Sequence, residues 1–228
     1  MDKHSGSQSN ELNSESPEFI AGQLRKPSGE FAVEIAEEMN RANRPLVELT
    51  METLQPGDWE SLLEVGFGSG RFFSDLLGQA NGLTIKGVDY SPEMVEQAKR
   101  VNQSLISEGR LELILASSGQ LPFANDVFDK VYCNNVIYFW DDPAEHLEEI
   151  KRVLVPGGRF YAGFRPKEDL KQLPMVEYGF TLYEEQEWEE VLEKNGFRVR
   201  EVCIREDPEL EIDGNNIRLT SICMVAEI

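Results

Sequence analysis

Short apolar runs alternate with amphipathic stretches through most of this chain, and that alternation predicts its elements. "SLLEVG" is an apolar run ending in glycine, followed by a helix over residues 71–77. "LTIKGVD" predicts a second strand, and "SPEMVEQAKRVNQSLI" a second helix with Ser91 as N-cap and Pro92 at its first position. "LELILA" and "FDKVYCNNV" predict strands three and four. A helix capped by Asp142 and opened by Pro143 follows, then "PGG", a fifth strand "RFYAGF", and a helix "EEQEWEEVLEKNG" stopped by Gly196. The last two strands, "FRVREVCIRE" and "IRLTSICMVAEI", have no helix between them, so they are expected to pair antiparallel at one edge. The expected fold is α/β: a doubly wound, Rossmann-like sheet of about seven strands, mostly parallel with an antiparallel edge strand and helices on both faces.

Upstream the pattern differs. Residues 1–18 are polar and aperiodic and are expected to form a disordered tail. Residues 19–55 predict a helical section able to act as a lid: Phe31, Ile35 and Met39 recur at helical spacing, and Pro45 is expected to open a second short helix carrying Leu46, Leu49 and Leu54. The main domain is then residues 56–228, with an insertion at 165–183 after strand five.

Charge narrows the partners. With 42 Asp and Glu against 22 Lys and Arg, the formal net charge of -20 opposes a phosphate backbone or an anionic membrane. Arg25, Lys26, Arg41 and Arg44 are thinly spread near the start. The apolar run "VIYFW" is far too short to span a bilayer, and the first residues hold no apolar segment of a signal peptide. Cys133, Cys203 and Cys223 form no CxxC pair and read as buried hydrophobes in a reducing cytoplasm. No metal site is expected.

Candidate chemistry centres on "EVGFGSGRFF". Gly66, Gly68 and Gly70 leave the backbone after the first strand bare, at the strand end where open α/β sheets bind ligands. The spacing is G-x-G-x-G, with Arg71 where a dinucleotide fingerprint needs its third glycine. Asp89 ends the second strand, where a carboxylate accepts both hydroxyls of a ribose and repels a phosphate on them.

These features together resemble the class I methyltransferases that use S-adenosylmethionine. "LLEVGFGSG" is similar to their first motif, "IKGVDYSPEMVEQAK" to the second, and "SSGQLPFANDVFDKVYCNNVIYFWDD" with "LEEIKRVLVPGGRF" to the stretches typical of the ubiquinone and menaquinone branch. The resemblance implies that Glu64, Gly66, Gly68 and Gly70 frame the methionine part of the cofactor, Asp89 holds the ribose, Tyr90 flanks the adenine and Asn134 lies near the sulfonium. Phe67, Met94 and Ser118 complete the implied set. Ser117 stands where many relatives place a carboxylate for the adenine amino group.

The implied product is S-adenosylhomocysteine and the implied acceptor a small organic molecule, with no nucleic acid and the protein a monomer or homodimer. Tyr138 and Asp141, directly after strand four, are the candidates for a base. His4 lies in the tail, and His146 reads as a solvated surface residue. A nicotinamide-dependent oxidoreductase and a non-catalytic cofactor-binding regulator are the alternatives.

Overall fold

The computed structural model describes residues 15–212 and 215–228. Most of the expected tail, including His4, lies outside them, but the expected boundary at residue 18 is corrected. Helix α1 already begins at Pro17 (Pro17–Arg25), capped by the Ser16 hydroxyl, which accepts from Phe19 N.

A 3₁₀ turn over Gly29–Phe31 leads into α2 (Ala32–Leu54), one continuous helix of 23 residues rather than the two expected. Pro45 sits inside it. A proline there removes a backbone donor and spreads the preceding turn, which normally ends a helix. In this chain the Arg165 guanidinium reaches in and donates to the Ala42 carbonyl at 3.0 Å. That contact supplies a partner at the weakened turn from a residue no local pattern reveals.

The main sheet follows the expected alternation: β1 (Ser61–Val65), α3 (Phe73–Leu77), β2 (Thr84–Asp89), α4 (Pro92–Val101), α5 (Gln103–Ser107), β3 (Leu111–Leu115), β4 (Phe128–Asn134), α6 (Pro143–Val153) and β5 (Leu154–Phe164). After β5 come the short helix α7 (Lys167–Leu170), a 3₁₀ turn over Pro174–Glu177, α8 (Glu185–Lys194), β6 (Arg198–Glu206), a small hairpin of β7 (Leu210–Ile212) and β8 (Asn215–Ile217), and β9 (Thr220–Glu227). The seven strands run β3-β2-β1-β4-β5-β9-β6. The first five are parallel; β9 runs antiparallel to both β5 and β6, and the β9–β6 pair forms the expected antiparallel edge.

Strand order reverses between β1 and β4, so the cleft at their carboxyl ends is where such a sheet binds a ligand. Alternate residues of β1 enter two cores. Leu63 and Val65 pack with Leu147, Ile150 and Trp188 on one face, and Leu62 packs with Phe73, Leu76 and Leu49 on the other. Burial on both faces holds the strand ends, and the residues that follow them, in fixed positions.

The predicted caps hold. Ser91 Oγ accepts from Met94 N at 3.3 Å, and Asp142 accepts from Ala144 N at 3.0 Å. The second predicted helix breaks at Asn102, whose side-chain amide donates to the Gly70 and Ala98 carbonyls, both at 2.9 Å. The helix thereby anchors the glycine loop to itself.

Candidate functional site

The three glycines share a backbone conformation but differ in their surroundings. Gly66, Gly68 and Gly70 all have positive φ, 71°, 55° and 68°. A Cβ on Gly66 would stand 2.5 Å from Val136 Cγ2, and one on Gly70 2.8 Å from Ala98 Cβ, so these two let the segment after β4 and helix α4 approach the loop. Nothing lies within 4 Å of a Cβ on Gly68. Gly68 lines a cavity of about 410 Å³.

The loop is tied to β2 by Asp89, whose Oδ2 accepts from Gly68 N at 2.8 Å while Oδ1 accepts from Ser91 N at 2.9 Å. Each carboxylate oxygen retains a lone pair for a ligand. Burial pushes the Asp89 carboxyl up to about 6 against these backbone bonds. Glu64, at the end of β1, is raised to about 8 by the same desolvation, opposed by the Tyr132 hydroxyl that donates to it at 2.9 Å and reinforced by the Asp89 charge.

The structure brings nearly all the expected cofactor residues to one cavity. Glu64, Gly66, Phe67 and Gly68 line it from the β1 side, Asp89, Tyr90 and Met94 from β2 and α4, Ser117 and Ser118 from the end of β3, and Asn134 from β4. Gly70 does not line it and acts behind the loop. Asn134 Oδ1 accepts from Thr50 at 2.7 Å, in space left by Gly163, where a Cβ would come within 2.3 Å of that oxygen.

The two candidate bases separate. Asp141 lines the cavity at its mouth, 89% exposed and paired with Arg25 at 3.1 Å. Tyr138 does not face the cavity. Its hydroxyl is buried, donates to the Arg165 carbonyl at 3.1 Å and accepts from Arg165 N, and burial raises its pKa. The expectation that Tyr138 faces the reacting group is therefore corrected: the 3₁₀ turn over Ile137–Phe139 rolls the ring onto the end of β5. Tyr138→Phe is expected to cost about 1 to 3 kcal/mol, the cost of leaving buried backbone groups unpaired. Thermal unfolding measures that loss, and cofactor affinity should stay unchanged.

His146 is the residue the sequence misplaces. It is half-buried in the cavity wall, with Nδ1 2.7 Å from Ser118 Oγ and its ring stacked on Trp140 at 4.8 Å and 7°. Burial lowers its pKa, against the charges of Glu145, Asp142 and Asp141. The available signal is its place in the helical stripe with Ile150 and Val153, both fully buried.

Residues 19–55 roof the cavity. Leu24, Arg25, Pro27, Ala36, Met39 and Asn40 are among those that line it. Three contacts fix the roof: the Ser91 hydroxyl donates to the Pro27 carbonyl at 2.6 Å, Asn40 exchanges bonds with Ser69 Oγ at 3.0 and 3.1 Å, and Arg25 pairs with Asp141. The 165–183 segment does not line the cavity but packs behind α1.

Comparison with known proteins agrees with this geometry. Residues 63–162 match the methyltransferase domain family. An O-methyltransferase of Pyrenophora dematioidea is 31% identical over 109 residues, 48% of this chain and 40% of that protein, so the match spans less than half of its length. An O-methyltransferase of Aspergillus sclerotiorum is 28% identical over 79% of this chain and 68% of its own. The demethylmenaquinone methyltransferase of Clavibacter sepedonicus is 30% identical over 59% of this chain and 51% of its own.

Among solved structures, the Haloferax volcanii complex of the Trm112 methyltransferase activator with a methyltransferase superposes with a TM-score of 0.72 at 22% identity, covering 86% of this chain and 95% of that one. No helix among the described residues is long and apolar enough to cross a membrane. The glycine loop, the strand-end Asp89 and the strand order thus belong to a segment, residues 63–162, that matches the methyltransferase domain family, in a chain with the fold of solved methyltransferase structures.

Proposed function

We propose that this chain transfers a methyl group from S-adenosylmethionine to a small organic acceptor by in-line displacement, in a reducing cytoplasm that suits its three free cysteines. The observation that carries the reading is the Asp89–Gly68 contact, which sets a carboxylate suited to a ribose beside a cavity-lining glycine with open space where a Cβ would stand. When bound, the cofactor supplies an electrophilic methyl group on a cationic sulfur. Glu64 and Asp89 suit that cation, and the loop holds no lysine for a phosphate.

Ser117 and Ser118 offer hydroxyls at the far end, where β3 stops. The chain's own part in the reaction is alignment: holding two reactants in register contributes about 7 to 11 kcal/mol without a covalent catalyst. Residues 19–55 act as the lid. A cavity of about 410 Å³ is near the low end of the range for ligands of this size, so α1 and α2 must shift for an acceptor to enter beside the cofactor. Calorimetric titration of S-adenosylmethionine and S-adenosylhomocysteine into the protein tests the reading, and no binding by either overturns it.

The raised carboxyls set a pH dependence. A cationic ligand favours the ionised form of Glu64, so in the free protein near pH 6 a proton must leave on binding, whereas above about 8 it has already left. Affinity for S-adenosylmethionine is therefore expected to rise with pH across this window, and Glu64→Gln to flatten the profile. Stability of the free protein follows the opposite sign. The folded-state pKa lies above the unfolded value, the folded protein binds more protons between the two, and stability falls as pH rises from about 4.5 towards 8. Thermal unfolding with and without cofactor, at pH 6 and pH 8, reads both effects.

A further inference from the structure

The cavity wall carries an uneven set of charges. Asp89, Asp141, Asp142 and Glu145 line it as carboxylates, with Glu64 held towards its neutral acid by burial, against one cation, Arg25. That guanidinium is already engaged, its Nη2 donating to Asp141 at 3.1 Å and to the Phe139 carbonyl at 3.2 Å. His146 is held towards its neutral form by burial. An anionic acceptor entering here loses its hydration, finds no free counter-charge and meets an excess of carboxylates.

The polar groups at the opposite end from Ser117 are of another kind. Between the end of β4 and α2 they are amides: Asn43, Asn134 and Asn135 all line the cavity. Asn134 Oδ1 is taken by Thr50, and Asn135 Oδ1, 3.2 Å from the Tyr138 hydroxyl, shares that hydroxyl's single proton with the Arg165 carbonyl. Both acceptor oxygens are thus partnered, whereas neither Nδ2, nor any atom of the Asn43 amide, makes a hydrogen bond among the described residues. Unpartnered N–H donors beside Val47, Met39 and Phe139 suit an oxygen atom on an otherwise apolar body. The N–H donors offer nothing to an ammonium, itself only a donor, for which Asn43 Oδ1 is the one unpartnered acceptor of the three amides among the described residues.

We propose that the acceptor is an uncharged, largely apolar molecule whose hydroxyl or carbonyl oxygen is received by the amide donors of Asn43, Asn134 and Asn135. The proposal rests on the cofactor reading above, which runs the cofactor along the ends of β3, β2 and β1 with its sulfonium near Asn134, so that the second reactant meets it at this end of the cavity.

The test uses the full chain in two stages. S-adenosylhomocysteine is titrated first, and three probes of matched shape are then titrated into the loaded protein: para-propylphenol, para-propylbenzoate and para-propylbenzylammonium. The phenol is expected to bind at least about tenfold more tightly than either charged probe, the scale of one well-made hydrogen bond against a buried charge left unpaired. Asn43→Leu should weaken the phenol about fivefold and leave S-adenosylhomocysteine unchanged. Asn43→Arg, which adds a cation to the same wall, should move the preference to the benzoate.

Equal or tighter binding of either charged probe by the unaltered protein overturns the proposal, as does failure of the phenol to bind the loaded protein. Failure in the first titration instead overturns the cofactor reading, and the acceptor proposal with it.

Discussion

Asp89→Ala is expected to weaken binding of both S-adenosylmethionine and S-adenosylhomocysteine by roughly a hundredfold, the loss of two hydrogen bonds to a charged acceptor at about 1.5 kcal/mol each. The carboxylate does two things that alanine cannot. It offers lone pairs to a ribose, and it holds Gly68 N and Ser91 N at 2.8 and 2.9 Å, fixing the loop against the end of β2. Asp89→Asn separates these roles. It keeps one acceptor oxygen and gives up the charge, so an intermediate loss of about tenfold is expected.

The effect should be confined to binding, because two opposing changes act on the free protein. Removing the carboxyl frees two backbone donors, but it also relieves the desolvation that raises the Asp89 pKa to about 6. Calorimetry gives the affinities and thermal unfolding of the free variant gives the control. An unchanged Kd in Asp89→Ala would remove the residue from the site.

The elements were legible where local chemistry decides them. The strand–helix alternation, the Ser91 and Asp142 caps and the bare glycine loop each depend on residues within a turn of one another. Features set by distant partners were not legible. Pro45 reads as a helix start, yet the helix runs through it, with Arg165, 123 residues away from Ala42, donating to a carbonyl of the preceding turn.

Tyr138 reads as facing the reaction because it follows β4. The backbone of Arg165 takes its hydroxyl instead. Cys133 and Cys223 are buried as expected, whereas Cys203, on the edge strand β6, is only partly covered. The residues expected to hold the cofactor stand at strand ends in sequence order, and all but Gly70 line one cavity. The helical section was expected over the site, but which of its residues meet the end of β4 was not legible, because nothing along the chain records that crossing.

Asp207→Ala is expected to be the most destabilising single change outside the apolar core. Asp207 and Arg165 are 3% and 2% exposed and form a buried ion pair. Asp207 Oδ1 also accepts from Ser221 Oγ at 2.7 Å, and Arg165 continues to the Ala42 carbonyl. The pair thus joins the ends of β5, β6 and β9 to the middle of α2, between the cavity-lining Asn40 and Asn43.

Alanine at 207 leaves a guanidinium buried without its counter-ion, a loss of about 3 to 5 kcal/mol. For a chain of this size that corresponds to a fall in Tm of roughly 6 to 20 °C. The attraction between the partners is not the source of that number; the stranded charge is. The double variant Arg165→Met, Asp207→Leu, which removes both charges and keeps apolar volume, should therefore recover most of the lost stability.

It should not recover the position of α2, because methionine cannot donate to the Ala42 carbonyl. Unfolding curves for the two single variants and the double complete the cycle, and cofactor affinity in the double reports on the roof separately. If the double is as unstable as Asp207→Ala, the pair holds the fold through its own attraction and geometry; if it is stable but binds cofactor weakly, the pair serves chiefly to seat α2 over the cavity.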